Sequence, residues 1–106
     1  MKNELPESLN DKELRETLNQ QTGKLEWKEL ERHFARGVLI HVDADLDLVD
    51  VAFNVIKDNK QQIQDWLGAG VLENATAENA QAWACTNTQF WAVVAAPWVL
   101  VQVVPK

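Results

Sequence analysis

The apolar run from Phe90 to Val104 constrains the fold more than any other part of the sequence. It is rich in valine and is interrupted by Pro97 and Gln102. A membrane-spanning helix needs about twenty apolar residues, so the run is too short and has the wrong composition for one. It predicts strand segments at about 90–95 and 98–104, joined at Pro97, because proline lacks the N–H that a central ladder needs.

The rest of the chain shows helical periodicity in short segments. Capping residues, i, i+3 and i+4 apolar spacings and glycine breaks predict helices at about 11–21, 26–36, 46–57, 60–68 and 77–85. An apolar strand, 38–42, follows the second helix, and 71–72 is a further short strand. The order predicts an α+β domain in which about five short helices cover a small sheet of three to four strands. We expect residues 1–9 to be a loose lead-in and residues 10–106 to form this single domain.

Composition and charge limit the classes of function. With 46% hydrophobic and 25% charged residues in 106, the chain has the composition of a globular domain. The chain has a net charge of −6 and so lacks the cluster of basic residues that is typical of nucleic acid binding. The same negative charge disfavours contact with anionic lipid. The single cysteine, Cys85, excludes an internal disulfide and a Cys-based zinc site, and it fits a reducing compartment. We therefore expect a cytoplasmic protein with no cofactor and no membrane association.

Four aspartates in the centre of the chain suggest a cation site at first sight. They are Asp43, Asp45, Asp47 and Asp50. A calcium loop that began at Asp43 would need glycine at its sixth position and glutamate at its twelfth, where this chain has Leu48 and Asn54. The expected start of a helix in this region accounts for the other three aspartates. Asp45 is the predicted N-cap, Asp47 lies in the first turn, and Asp50 belongs to a solvated stripe.

His41 and Asp43 are the candidate ligand or metal residues. They stand two residues apart, so on a strand both side chains point to one face. There they could hold a divalent metal, or the carboxylate could orient the imidazole as a general base. His33 needs no functional explanation, because it lies in the last turn of a helix, where the helix dipole favours positive charge.

Trp91 and Trp98 are the candidate residues of a partner surface. On the final strands they pack in the core or anchor a partner. A sheet this rich in valine has open edges unless helices or a second copy cover them, so a homodimer through the C-terminal strands is one possibility. Enzymatic function is not favoured, because no catalytic motif appears and we identify no catalytic residue.

Four blocks of sequence resemble a known family. They are Trp27–Leu30, Phe34–Gly37, Leu46–Ala52 and Ala96–Gln102. In this order, and over about residues 12–103, they are similar to a family of short bacterial proteins catalogued only as a domain of unknown function. The resemblance implies a bacterial, cytosolic protein that consists of this domain, and it supplies no activity, cofactor or catalytic residue.

The leading hypothesis is a small cytosolic protein that acts as a non-enzymatic protein-interaction or self-associating module. One alternative is a metal- or small-ligand-binding protein, or an enzyme, that uses His41 and Asp43. The other is a nucleic acid binder in which the helices at 46–57 and 60–68 form a helix-turn-helix. The scarcity of cations on the second of these helices argues against nucleic acid binding by this chain.

Overall fold

The computed structural model describes residues 10–86 and 88–104. In chain order the elements are α1 (Asp11–Gln21), β1 (Gly23–Glu26), α2 (Trp27–Ala35), β2 (Leu39–Val42), α3 (Leu48–Ile56), α4 (Lys60–Ala69), β3 (Leu72–Asn74), α5 (Ala77–Thr86), β4 (Gln89–Ala95) and β5 (Trp98–Val103). The predicted α+β class is confirmed. The predicted lead-in over residues 1–9 lies outside the described residues.

The sheet has five strands in the described ranges, whereas the sequence predicted three to four. The additional strand is β1. It has only four residues, and its side chains alternate between half-buried and exposed. Such a segment carries little apolar signal of its own, and it becomes a strand because it pairs antiparallel with β4.

The order of strands across the sheet is β1-β4-β5-β2-β3. β4 and β5 form an antiparallel hairpin, β5 runs parallel to β2, and β1 and β3 close the two edges. The C-terminal strands are therefore interior. β1 pairs only with 89–92 of β4, which leaves Val93–Ala95 without a pairing strand on that side among the described residues. A homodimer through these strands would use this short stretch or the faces of the strands, since their other edges are occupied.

Helices cover both faces of the sheet. On one face, α1, α3 and α4 pack over a core to which Leu18, Val42 and Val51 belong. On the other face, α2 and α5 contribute Trp27, Leu30 and Trp83, which surround the fully buried Phe90 of β4. β2 is apolar toward both layers, as the sequence predicted, because Ile40 and Val42 face the first layer and Leu39 faces the second.

The start of α3 differs from the sequence-based prediction. The N-cap is Asp47, whose Oδ1 accepts a hydrogen bond from Val49 N at 3.0 Å. The prediction of Asp45 as N-cap is wrong. The backbone N–H of Asp45 donates to the carboxylate of Asp43 at 2.9 Å, which forms a local turn and delays the helix by two residues.

The helices of the described chain are all too short or too polar to cross a membrane.

Candidate functional site

His41 lies on β2 and faces the layer formed by α2 and α5. Its ring packs edge-to-face on the Trp83 indole, with centroids 5.2 Å apart. Nδ1 lies 3.6 Å from Oε1 of Glu73, the residue directly opposite on β3. This distance is long for a hydrogen bond, so the contact is a charge interaction that depends on protonation of the imidazole. The imidazole is thus a half-buried ring with a carboxylate neighbour from the adjacent strand.

Asp43 follows β2, which ends at Val42. Its carboxylate accepts from Asp45 N, its own N–H donates to Val71 O at 2.9 Å, and its carbonyl accepts from Gln102 Nε2 at 2.9 Å. The residue therefore closes the turn that leads into α3. No group of three or more His, Cys, Asp or Glu side chains within residues 10–86 and 88–104 is placed to hold a metal ion. A ligand role for His41 and Asp43 stays a prediction.

His33 lies in the last turn of α2, as predicted, but its electrostatic environment opposes protonation. Burial lowers the pKa of His33 below its ordinary 6.5, and the positive charges of Arg32 and Arg36 lower it further. Burial, together with the two guanidinium groups, outweighs the favourable effect of the helix C-terminus on the protonated ring.

Trp98 lies in an apolar concavity, here called the Trp98 cleft. The cleft has a volume of about 270 Å³ and lies between α3, α4 and the sheet. It is lined by Ile40, Val55, Ile63, Leu67, Leu72, Asn74, Trp98 and Leu100. A neighbouring hollow of about 300 Å³ shares Val55, Ile63 and Trp98 with the cleft, and its other lining residues are the polar Asp58, Lys60 and Gln64. Among the described residues that line the cleft, Asn74 is the only one with a polar side chain apart from the indole N–H of Trp98.

The cleft exists because α4 covers the sheet incompletely. Ile63 and Trp66 pack against the core, but no residue of α4 is fully buried. Leu67 is 48% exposed on the wall of the cleft. In the described chain, the other large apolar side chain exposed to this degree is Val94, which is 49% exposed.

Trp91 lies in a second concavity on the same face of the sheet, here called the Trp91 pocket. Its volume is about 280 Å³. It is lined by Asn19, Thr22, Asp47, Leu48, Val49, Trp91 and Gln102. Helix α3 connects the two concavities, because its first residues line this pocket and Val55 near its end lines the Trp98 cleft. The sequence singled out both tryptophans, and the structure places each in a concave surface.

No pattern in the sequence pointed to Glu73 or Leu67 as site residues. Glu73 approaches His41 only because β3 pairs with β2, a contact between residues distant in the chain. Leu67 follows Trp66 in a helical pattern, and that pattern predicts a core position for it. For Gln102 a signal exists, since it is the one polar residue in an otherwise apolar strand.

The predicted order of two helices followed by a short strand is present in α3, α4 and β3. β3, however, is an edge strand of the sheet and pairs antiparallel with β2. On α4, the Gln61 amide donates to the Asp65 carboxylate at 3.0 Å, and Lys60 is the only basic residue of the helix. Nucleic acid binding by this segment stays a prediction.

Comparisons with known proteins give a fold relative and a family. PA1075 from Pseudomonas aeruginosa, whose structure was solved in solution by NMR, is 34% identical to this chain with a TM-score of 0.79. The alignment covers 99% of this chain and 95% of that one. Comparison with curated proteins yields no significant match. A family model described as "Protein of unknown function (DUF2288)" matches residues 13–103. The chain therefore belongs to the DUF2288 family.

Proposed function

We propose that the protein is a non-enzymatic binding module whose Trp98 cleft receives an apolar segment of a protein partner. One observation carries the proposal: an open, almost entirely apolar concavity with a half-exposed leucine on its wall. Catalytic pockets combine apolar walls with convergent polar groups. This cleft offers the single amide of Asn74. It is therefore suited to bury apolar surface and poorly suited to chemistry.

The two most prominent side chains of the cleft are of the kind that dominate binding energies. Trp98 is half-buried, so it is held by the core while part of the indole remains accessible. Aromatic anchors in apolar pockets are typical hot spots of protein interfaces. Leu67 still exposes 48% of its surface, and burying the remainder would contribute about 1 kcal/mol.

The partner can be a different protein or a second copy of the chain. Trp98 belongs to β5. A homodimer that packs through the faces of the C-terminal strands would therefore place the cleft in its interface. Light scattering at increasing protein concentration separates the two cases. A monomer at high concentration would exclude the second copy and would leave the different protein as partner.

The test uses two variants matched in exposure and in the introduced charge. Leu67→Lys places a charge in the cleft. Val94→Lys places the same charge on the other face of the sheet, at a site 49% exposed. It is the control for a partner other than a second copy, because Val94 lies in the unpaired stretch 93–95. Tagged wild-type and variant chains are purified from the native cell, and bound proteins are identified by mass spectrometry. The proposal expects a protein that the wild type and Val94→Lys retain and that Leu67→Lys loses. A set of bound proteins unchanged by Leu67→Lys would contradict it.

Two alternatives stay open to direct tests. For metal or ligand binding through His41 and Asp43, metal content and titration are compared between wild type and His41→Ala. Unchanged binding with an intact fold would end that hypothesis. For nucleic acid binding, a gel shift at low salt is decisive, because electrostatic binding is strongest there.

A further inference from the structure

The Trp91 pocket differs in chemistry from the Trp98 cleft. Its lining combines an indole ring with a carboxylate, two amides and a hydroxyl. We propose that this pocket binds an alkylammonium group, carried by a small organic amine or by a lysine side chain. The inference does not depend on the proposed function of the cleft, since no lining residue is shared between them.

Gln102 and Thr22 present acceptor oxygens to the pocket, because their donors are already used within the chain. Gln102 Nε2 donates to two carbonyl oxygens, Asp43 O at 2.9 Å and Leu46 O at 2.6 Å. These bonds fix the orientation of the amide, and Oε1 has no donor among the described residues. Thr22 donates its hydroxyl proton to Leu18 O at 2.8 Å, so toward a ligand its oxygen can only accept. A ligand rich in donors, such as an ammonium with its three N–H groups, complements this wall.

Asp47 adds a negative charge to the same wall. Its Oδ1 accepts from Val49 N, and within the described ranges its carboxylate makes no ion pair. Arg15 is already paired with Asp50 at 2.8 Å, and the ammonium of Lys24 lies over the Trp91 ring. Local electrostatics therefore favour a cation and disfavour an anion.

Two helix ends meet at the pocket. The last turn of α1 has no basic residue, so the partial negative charge of its carbonyl end is not offset there. The N-terminus of α3 carries the opposite partial charge, but the Asp47 carboxylate caps it. The carbonyl end of α1 and the Asp47 carboxylate thus both present negative charge at the pocket.

The Trp91 ring already accepts an ammonium from its own chain. Lys24, directly opposite on β1, places Nζ 5.0 Å from the centroid of the indole ring. An ammonium at this distance from an aromatic ring is attracted by its quadrupole. Lys24 is exposed and can leave the ring, so a bound ligand amine would compete with it and be repelled by it. Lys24→Gln is therefore expected to strengthen ligand binding.

The test is a titration followed in ¹H–¹⁵N spectra of the full chain. The probes are 1,4-diaminobutane, its neutral analogue 1,4-butanediol, and N-acetyl-lysinamide. We expect the diamine to shift the Trp91 indole N–H and the Gln102 side-chain amide saturably, and we expect the diol to leave both unchanged. If the lysinamide binds as tightly as the diamine, a lysine side chain is the natural source. If the diamine binds more tightly, a free amine is the source, and both results support the ammonium site.

Two aspartate variants with the same change in net charge isolate the pocket. Asp47→Asn keeps the N-cap, because asparagine caps as well as aspartate, and we expect it to weaken diamine binding at least about tenfold. Asp45→Asn lies outside the pocket, and we expect a change below about twofold. Three results would overturn the inference. They are equal weakening of diamine binding by both aspartate variants, a diol that binds as well as the diamine, and diamine binding by Lys24→Gln that is no tighter than by the wild type. Leu67→Lys should leave diamine binding unchanged, so failure here and failure of the cleft proposal are separable.

Discussion

Gln102 is predicted to fix the loop that joins β2 to α3. It lies opposite Trp91 in the hairpin, and its side-chain amide crosses to the loop, where it donates to Asp43 O and Leu46 O. Both bonds are partly buried and connect residues more than fifty positions apart in the chain. Gln102→Leu keeps the approximate volume of the side chain and removes both donors. The loop carbonyls then lose their partners while the packing of β5 is preserved.

The expected loss of stability follows from the two bonds. A typical intramolecular hydrogen bond contributes about 1 kcal/mol net, so the variant should lose about 2 kcal/mol in free energy of unfolding. The cost stays near this value because the carbonyls are only partly buried and water can reach them. For a domain of this size the loss corresponds to a decrease in Tm of about 10 °C.

Urea unfolding followed by circular dichroism measures this difference. The control is Gln89→Leu, the same substitution at an exposed position of β4 whose side chain makes no hydrogen bond among the described residues. We expect the control to change stability by less than about 0.5 kcal/mol. A Gln102→Leu variant as stable as this control would refute the claim that the amide holds the loop.

Three further predictions concern the cap, a histidine and the core. Asp47→Ala should lower the free energy of unfolding in urea by about 1 kcal/mol, and Asp45→Ala should lower it by less, because Asp47 is the N-cap of α3. A larger loss for Asp45→Ala would favour Asp45 as the N-cap instead. Because the pKa of His33 is lowered in the folded chain, the unfolded chain binds a proton at this position more readily. The free energy of unfolding of the wild type should therefore fall more than that of His33→Gln as the pH drops through and below 6.5, the ordinary pKa of histidine. Equal pH profiles for the two chains would contradict this. Trp83→Ala should cost about 3–5 kcal/mol, because the ring contacts Trp27, His41 and Phe90 in the second layer; a near-native Tm would be inconsistent with that packing.

Local patterns in the sequence were sufficient for the fold class and for most elements. The capping box at Asn10 and Glu13 and the capping asparagine Asn59 begin helices where predicted, and Gly70 ends α4 in the left-handed conformation. These signals depend on residues close in sequence, so they can be read without the fold. β1 escaped notice because its strand conformation depends on pairing with β4, far along the chain.

The start of α3 shows why a correct pattern can give a wrong boundary. Asp43, Asp45 and Asp47 are all competent N-caps. Which of the three caps the helix depends on the turn that the Asp43 carboxylate closes. Helix-capping propensity alone does not choose between them.

The candidate site was predictable only in part. Trp91 and Trp98 were identified from their residue type and their position on the final strands, and each lines a concavity. The walls of those concavities come from α1, α3 and α4, so their shape depends on how the helices lie on the sheet. The same holds for the neighbour of His41, because Glu73 reaches it across a strand pairing.

The most direct test of the central claim is the affinity of an identified partner for purified chains. Isothermal titration calorimetry would compare wild type, Leu67→Lys and Val94→Lys after unfolding curves have established that all three are folded. The account predicts binding at least about tenfold weaker for Leu67→Lys, because burial of the leucine is lost and a charge enters an apolar cleft. It predicts a Kd within about twofold of wild type for Val94→Lys. Equal affinities for the two variants would contradict the assignment of the Trp98 cleft as the binding surface.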